Sequence, residues 1–300
     1  MPRPTRREFM KTTALLGAGT LAVGTARETS AASDRLPKGE TAMAKPLNLG
    51  IVTYNIAKDW TLDTIFKNLE ELGYQSVELR STHAHGVEAS LSAPERAEVR
   101  KRFEDSPIEL AQLGSAFEYH SPDPEELKKN IEGAKEYAQL AADVGCPGIK
   151  VRPNGLPEGV PEEKTLEQIG NALKELGGFC ANRGVEVRLE VHGGGTSHVP
   201  RIKKIMDVAD HPNVLVNWNS NQSDLEDGGF EENFNLVKDK IRHVHIVDLY
   251  REDYPWRRLF ERLREIDYAG HCCAEIQASS DPMRVLRYYR ALFLAYQGVL

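Results

Sequence analysis

Eight times between Leu47 and the C-terminus, a short run of apolar and β-branched residues gives way to a longer amphipathic stretch. The short runs are Leu47–Asn55, Ser76–Arg80, Glu109–Ser115, Gly148–Arg152, Glu186–His192, Val214–Asn219, His243–Asp248 and Cys272–Ile276. The stretches between them are Thr61–Leu72, Pro94–Phe103, Pro124–Val144, Leu166–Arg183, Val199–Val208, Phe230–Lys238, Trp256–Ile266 and Pro282–Tyr296. Each carries apolar residues at helical i, i+3, i+4 spacing. Pro94, Pro124, Pro200 and Pro282 fall near predicted helix starts, where a missing N–H removes no bond. Strand-then-helix repeated eight times in about 250 residues is the count of a (β/α)8 TIM barrel. An open doubly wound sheet is the competing arrangement, and it normally opens with a glycine-rich phosphate turn. Here the first strand runs into Tyr54-Asn55-Ile56-Ala57-Lys58 instead. Gly193-Gly194-Gly195 does not match G-x-G-x-x-G and reads as a tight loop at the barrel mouth.

The segment before Leu47 has a different character. Arg6 and Arg7, then Phe9 and Lys11, precede an apolar run from Thr12 to Val23 and the small residues Thr29, Ser30, Ala31 and Ala32. This order predicts a twin-arginine signal peptide over 1–32, with cleavage near Ala31 or Ala32 and export to the periplasm by the twin-arginine machinery. The run is too short and too rich in Gly and Ala for stable membrane insertion. Residues 33–46 are polar and read as a flexible leader, and 47–300 as one barrel domain. A formal net charge of -7 argues against nucleic acid or an anionic membrane as the main partner. Cys146, Cys180, Cys272 and Cys273 lack metal-site spacing and read as small buried apolar residues; a Cys146–Cys180 disulfide stays open.

In a barrel, chemistry is built from residues at the C-terminal ends of the strands. Strand alternation puts Glu190 with His192, Asn217 with Asn219, His243 with His245, Cys273 with Glu275, and Lys150 with Arg152. Charges directed into a barrel are costly unless paired or metal-bound. One such residue is unremarkable, whereas ionisable or amide groups on four consecutive strands at one level point to a site. Two carboxylates, an imidazole and an amide oxygen without thiolate suit one divalent ion: Mn, Co, Mg, Fe or Zn.

Leu189-Glu190-Val191-His192, His243-Val244-His245-Ile246-Val247-Asp248 and Ala274-Glu275, with Val77-Glu78-Leu79 earlier, resemble the motifs of the xylose-isomerase-like sugar phosphate isomerase/epimerase family. The resemblance runs from about Leu47 to the C-terminus and implies a metal held by Glu190, Asn219, His245 and Glu275. Asn219 departs from the pattern, which has an aspartate there, and Asp224 stands a few residues on as a possible substitute. The resemblance further implies an isomerase or epimerase working through an enediolate. Glu190 and Glu275 would exchange protons on opposite sides of a carbon, and His192, Lys150 and Arg152 would steady substrate oxygens. Tyr54, His83, His85, Glu118 and His120 lie near other mouth loops, and Trp60 is the tryptophan best placed to stack on a sugar ring. Trp218 alternates away from Asn217 and Asn219 and is expected between strand and helix.

Export favours a non-phosphorylated sugar or keto-sugar, since sugar phosphates are mainly cytoplasmic. The same chemistry permits elimination from a 3-keto-glycoside, a lyase reaction. The loss of charge at Asn219 leaves a non-catalytic carbohydrate-binding barrel as a third reading. An abasic-site endonuclease of the same barrel superfamily fits the acidic balance and the short ligand set poorly. The sequence leaves the oligomeric state open.

Overall fold

A computed structural model describes residues 45–299. The twin-arginine segment and most of the leader lie outside the described residues. The strands are β1 (Asn48–Val52), β2 (Ser76–Arg80), β3 (Glu109–Glu118), β4 (Gly148–Arg152), β5 (Glu186–Glu190), β6 (Val214–Asn219), β7 (Ile241–Ile246) and β8 (His271–Ala274). Each is followed by a helix: α1 (Leu62–Leu72), α2 (Ala93–Glu104), α3 (Pro124–Val144), α4 (Glu162–Ala181), α5 (Val199–Ala209), α6 (Gly229–Val237), α7 (Trp256–Glu265) and α8 (Pro282–Tyr296). The strands pair in parallel and in chain order, and β1 closes on β8. The chain is a TIM barrel.

Local chemistry explains the boundaries. Thr61 caps α1 by accepting from the Thr64 N–H, and Gly73 ends it in a left-handed conformation with φ of 69°. Asp123 caps α3 by accepting from the Glu125 N–H, with Pro124 in the first turn. Prolines occupy the first turns of α2, α5 and α8 as well. The predicted elements differ from these mainly at their ends. β5 stops at Glu190 and β8 at Ala274, so His192 and Glu275 stand on the loops that leave the strands. α4 begins at Glu162, one turn earlier than the periodicity predicts, because its first turn is acidic and solvent-facing.

The apolar core lies between the barrel and the ring of helices, where Leu79, Ile149, Leu189, Val216 and Val244 meet residues such as Ile65, Leu140, Leu173 and Phe260. Trp218 packs outward there, edge-on to Phe230 of α6 at 6.1 Å. All four cysteines are buried and free, so the Cys146–Cys180 disulfide does not form. Trp60 is a correction. It is 9% exposed and packed in this core. Ile56 and Leu62, neighbours on the same segment, are buried in the same core.

Inside the barrel the packing is different. Val52, Ala111 and Cys273 form a small separate apolar cluster. A side chain at Gly50 would run into Cys273 Sγ at 2.7 Å, so a glycine is needed on that inner face. The rest of the interior is largely polar: Glu78, Gln112, Lys150, Arg188, Glu190, Asn217, His243 and His245 are all buried.

Candidate active site at the barrel mouth

Strand register brings the predicted residues together. Glu190 pairs with Asn217, Asn219 with His245, and His245 with Cys273, two residues before Glu275. His245 Nδ1 lies 3.0 Å from Glu190 Oε1 and 3.4 Å from Glu275 Oε2. The Asn217 amide is 3.2 Å from the same nitrogen. Ligand atoms of Glu190, His245 and Glu275 all lie within 4.8 Å of one another. Two carboxylates and an imidazole nitrogen this close need a proton or a cation among them.

The residues fit a divalent ion. Asn219 Oδ1 is buried without a hydrogen-bond partner, so a carbonyl oxygen is left uncommitted at the end of β6. Glu190, Glu275 and His245 by themselves offer a mixed oxygen and nitrogen donor set of the kind hard or borderline divalent ions take, and Asn219 stands in register with His245 on the neighbouring strand. Asp224 is not part of the Glu190, His245 and Glu275 cluster. Its carboxylate accepts from the Tyr254 hydroxyl at 2.7 Å and the Asn221 N–H at 3.0 Å, and Tyr254 in turn accepts from Trp218. This network ties the loops after β6 and β7 together.

Lys150 Nζ sits 2.8 Å from Glu190 Oε2, with both side chains almost fully buried. Burial pushes the Glu190 carboxyl up, but Lys150 and His245 outweigh it and hold the group well below the usual carboxylate range. Burial pushes His245 down, and the surrounding carboxylates, Glu78 first, reverse this and raise it well above the usual range. Lys150, which the sequence suggests would steady a substrate oxygen, is thus engaged by Glu190.

The outer residues are arranged by partners of their own. His192 donates from Nδ1 to Asn154 Oδ1 at 2.8 Å, and its backbone leads into Gly193, which has φ of 95°. Burial lowers the His192 pKa; Glu190 opposes this and Lys150 and Arg152 add to it. The ring therefore stays neutral with Nε2 as an acceptor. Arg152 is paired with Glu118, and His120 stands 3.9 Å from the same carboxylate. Tyr54 is 43% exposed and lies parallel to His83, with ring centres 6.3 Å apart. His85 is structural: Nε2 bonds the Arg80 carbonyl at 2.8 Å and Nδ1 accepts from the Val87 N–H.

Sequence reasoning left Glu78 without a role, although Val77-Glu78-Leu79 is among the motifs it singled out. Glu78 Oε2 is 2.6 Å from His245 Nε2 and 3.1 Å from His243 Nε2, all with no solvent exposure. His243 is pushed down to about 3 by burial, which Glu78 only partly opposes. The available signal was a glutamate on the inward face of a strand whose other face, Val77 and Leu79, is core.

Known proteins agree with this architecture. The profile of the xylose isomerase-like TIM barrel family matches residues 66–292. No curated protein matches the chain in sequence. Among solved structures, the apo form of 3-keto-D-glucoside 4-epimerase YcjR from E. coli superposes with a TM-score of 0.70 at 17% identity, covering 83% of this chain and 99% of that one. The IOLI protein with a bound zinc atom gives 0.70 at 16% identity over 84% and 98%. The probable 3-DHS dehydratase AsbF from Bacillus anthracis, involved in petrobactin synthesis, gives 0.65 at 16% identity over 83% and 98%. At these identities the likeness speaks for the fold, while the profile spans most of the chain. The chain belongs to the xylose isomerase-like TIM barrel family.

Proposed function

We propose that the protein is a metal-dependent sugar isomerase or epimerase that acts on a non-phosphorylated sugar or keto-sugar, with Glu190, Asn219, His245 and Glu275 holding one divalent ion. The observation that carries this reading is the convergence of Glu190 and Glu275 on His245 Nδ1, at 3.0 and 3.4 Å, where the strands leave the barrel. A divalent ion in that position supplies a Lewis acid for a substrate carbonyl. The protein's own groups do the rest. Glu190 stays ionised beside Lys150, so it is free to accept a proton from a carbon acid next to that carbonyl, although the same ammonium lowers its basicity. Glu275, just past β8, faces His245 Nδ1, and in this reading it returns a proton to the opposite face of the substrate carbon. His192, fixed by Asn154, presents Nε2 to a substrate hydroxyl. Export through the twin-arginine pathway is part of the proposal, since it brings free sugars rather than sugar phosphates to the mouth.

A second reading is favoured by the unequal settings of the two glutamates: the Glu190 side chain is 1% exposed and that of Glu275 21%. One buried base suits β-elimination from a 3-keto-glycoside. Glu190 would take the proton beside the keto group, a C=C bond would form, the glycosidic C–O bond would break, and the leaving oxygen would depart as an alcohol after protonation. The similarity to a 3-keto-D-glucoside 4-epimerase makes 3-keto-glycosides a sensible substrate class for either reaction.

The test is metal content by elemental mass spectrometry on the protein and on Glu190→Gln and Glu275→Gln, followed by incubation with keto-sugars and 3-keto-glycosides in deuterated water. About one equivalent of metal, lost in the variants, is expected. Epimerisation leaves deuterium at an inverted centre with all bonds kept, whereas elimination releases the alcohol. A wild-type protein that holds no metal and takes none up overturns the reading in favour of a carbohydrate-binding barrel.

A further inference from the structure

Beneath Glu190 and Glu275, side chains from β2, β3, β5 and β7 join in one hydrogen-bonded chain through the barrel. Arg188 Nη1 donates to the Ala111 carbonyl at 2.9 Å and to Gln112 Oε1 at 3.3 Å. Gln112 Nε2 donates to Glu78 Oε2 at 2.8 Å. That oxygen meets His245 Nε2 at 2.6 Å, and the far side of the imidazole faces Glu190.

The ends of this chain dictate where its protons lie. A guanidinium only donates, so Gln112 must turn its oxygen to Arg188 and its nitrogen to Glu78. Glu78 Oε1 is buried with no partner, so a proton placed there would be unsatisfied. With Glu78 as a carboxylate, Oε2 accepts from Gln112 on one side and from a His245 Nε2–H on the other. Space has been kept for the carboxylate as well: a Cβ at Gly114 would collide with Glu78 Oε1.

We propose that Glu78 is a positioning residue: by accepting from His245 Nε2–H it fixes the imidazole with Nδ1 turned to Glu190 and Glu275, and Arg188 and Gln112 hold Glu78 in place. The inference rests on the reading of Glu190, His245 and Glu275 as ligands of a divalent ion. A carboxylate behind a ligating imidazole sets its orientation and raises its basicity, and loss of such a partner typically weakens metal binding by about ten- to a hundredfold.

Glu78→Gln keeps the shape and an accepting oxygen but removes the charge. Two readouts are taken: the imidazole N–H resonances of 15N-histidine-labelled, metal-free protein, with His245 assigned by its loss in His245→Gln, and the Kd for Zn2+ by titration. The wild type should show a slowly exchanging His245 Nε2–H. In Glu78→Gln that resonance should move upfield and exchange faster, and the Zn2+ Kd should rise about ten- to a hundredfold. Should Glu78→Gln fail to fold, Gln112→Met frees Glu78 without altering it and should shift both readouts the same way. A His245 Nε2 without a proton in the wild type, or a variant with unchanged resonance and unchanged Kd, overturns the proposal. If the wild type binds no Zn2+, the metal reading falls, and the N–H resonance still decides whether Glu78 holds the imidazole.

Discussion

Replacing Lys150 with methionine isolates the electrostatics of the site. The chain lengths are similar, so packing between β4 and β5 changes little, but Glu190 loses the partner 2.8 Å away. The two side chains are 4% and 1% exposed, so water cannot replace the ammonium. Removing one partner of a buried pair costs about 3–5 kcal/mol, because the other charge stays behind uncompensated. For a domain of this size that corresponds to a fall in Tm of about 6–20 °C. His245 also borders Glu190, which places the expected loss toward the lower end. A bound divalent ion would supply the missing positive charge, and ligand at a thousand times its Kd contributes about 4 kcal/mol to the native state. The deficit in Lys150→Met should therefore be largest in EDTA and shrink on saturation with Zn2+ or Mn2+. The double variant with Glu190→Gln should recover part of it without metal. The assay is thermal or urea unfolding of wild type and both variants, with and without metal. A loss below about 1 kcal/mol in EDTA would refute the reasoning, since surface pairs are worth that much.

Three further outcomes are expected. Burial raises the Asp224 pKa well above 3.8, with Tyr254 and Asn221 opposing it, so the stability tied to its protonated form is present below that value and is lost as pH rises through the folded value. Asp224→Asn, which keeps an acceptor for Tyr254, should gain on the wild type as pH is raised from 4 to 7; a difference flat across that range in urea melts would count against this. Trp60→Ala should cost about 3–5 kcal/mol of stability as a core deletion, while Tyr54→Ala should stay within about 0.5 kcal/mol; the reverse order in chemical denaturation would return Trp60 to the mouth. The four free cysteines should resist an aromatic disulfide reagent in native protein and all react after denaturation, since burial pushes the Cys146 and Cys180 thiols up to about 12; rapid labelling of folded protein would contradict their burial.

The architecture was legible because two periods alternate along the chain, and each period is a local property. β2, β4, β6, α3 and α8 fall where the spacing predicts them, helped by Pro124 and Pro282 at helix starts and Gly145 at a helix end. That Glu190, His245 and Glu275 would be neighbours was legible for the same reason: they stand at or just past strand ends, and the order of strands sets their level. Trp60 was misplaced because closeness to a strand end says nothing about which way a bulky ring turns once core is available. Glu78 was missed because its partner is 167 residues away, across a barrel that exists only after β1 has met β8. Alternation shows that such a residue faces inward but not what it faces. The engagement of Lys150 by Glu190, and of Asp224 by Tyr254, belongs to the same class of long-range fact.

TIM barrels usually divide their labour, with one face of the barrel kept for stability and the other free to diversify. The chain from Arg188 through Gln112 and Glu78 to His245 crosses that division. Arg188 is itself gripped by Glu186, whose carboxylate lies toward the opposite end and is a quarter exposed. A lineage of such barrels could not repack its foot freely: an apolar residue at Gln112 would strand the ends on either side of it. On the proposed role of Glu78, drift at the foot would be felt in the setting of His245 at the mouth, so these positions should vary as a set or not at all.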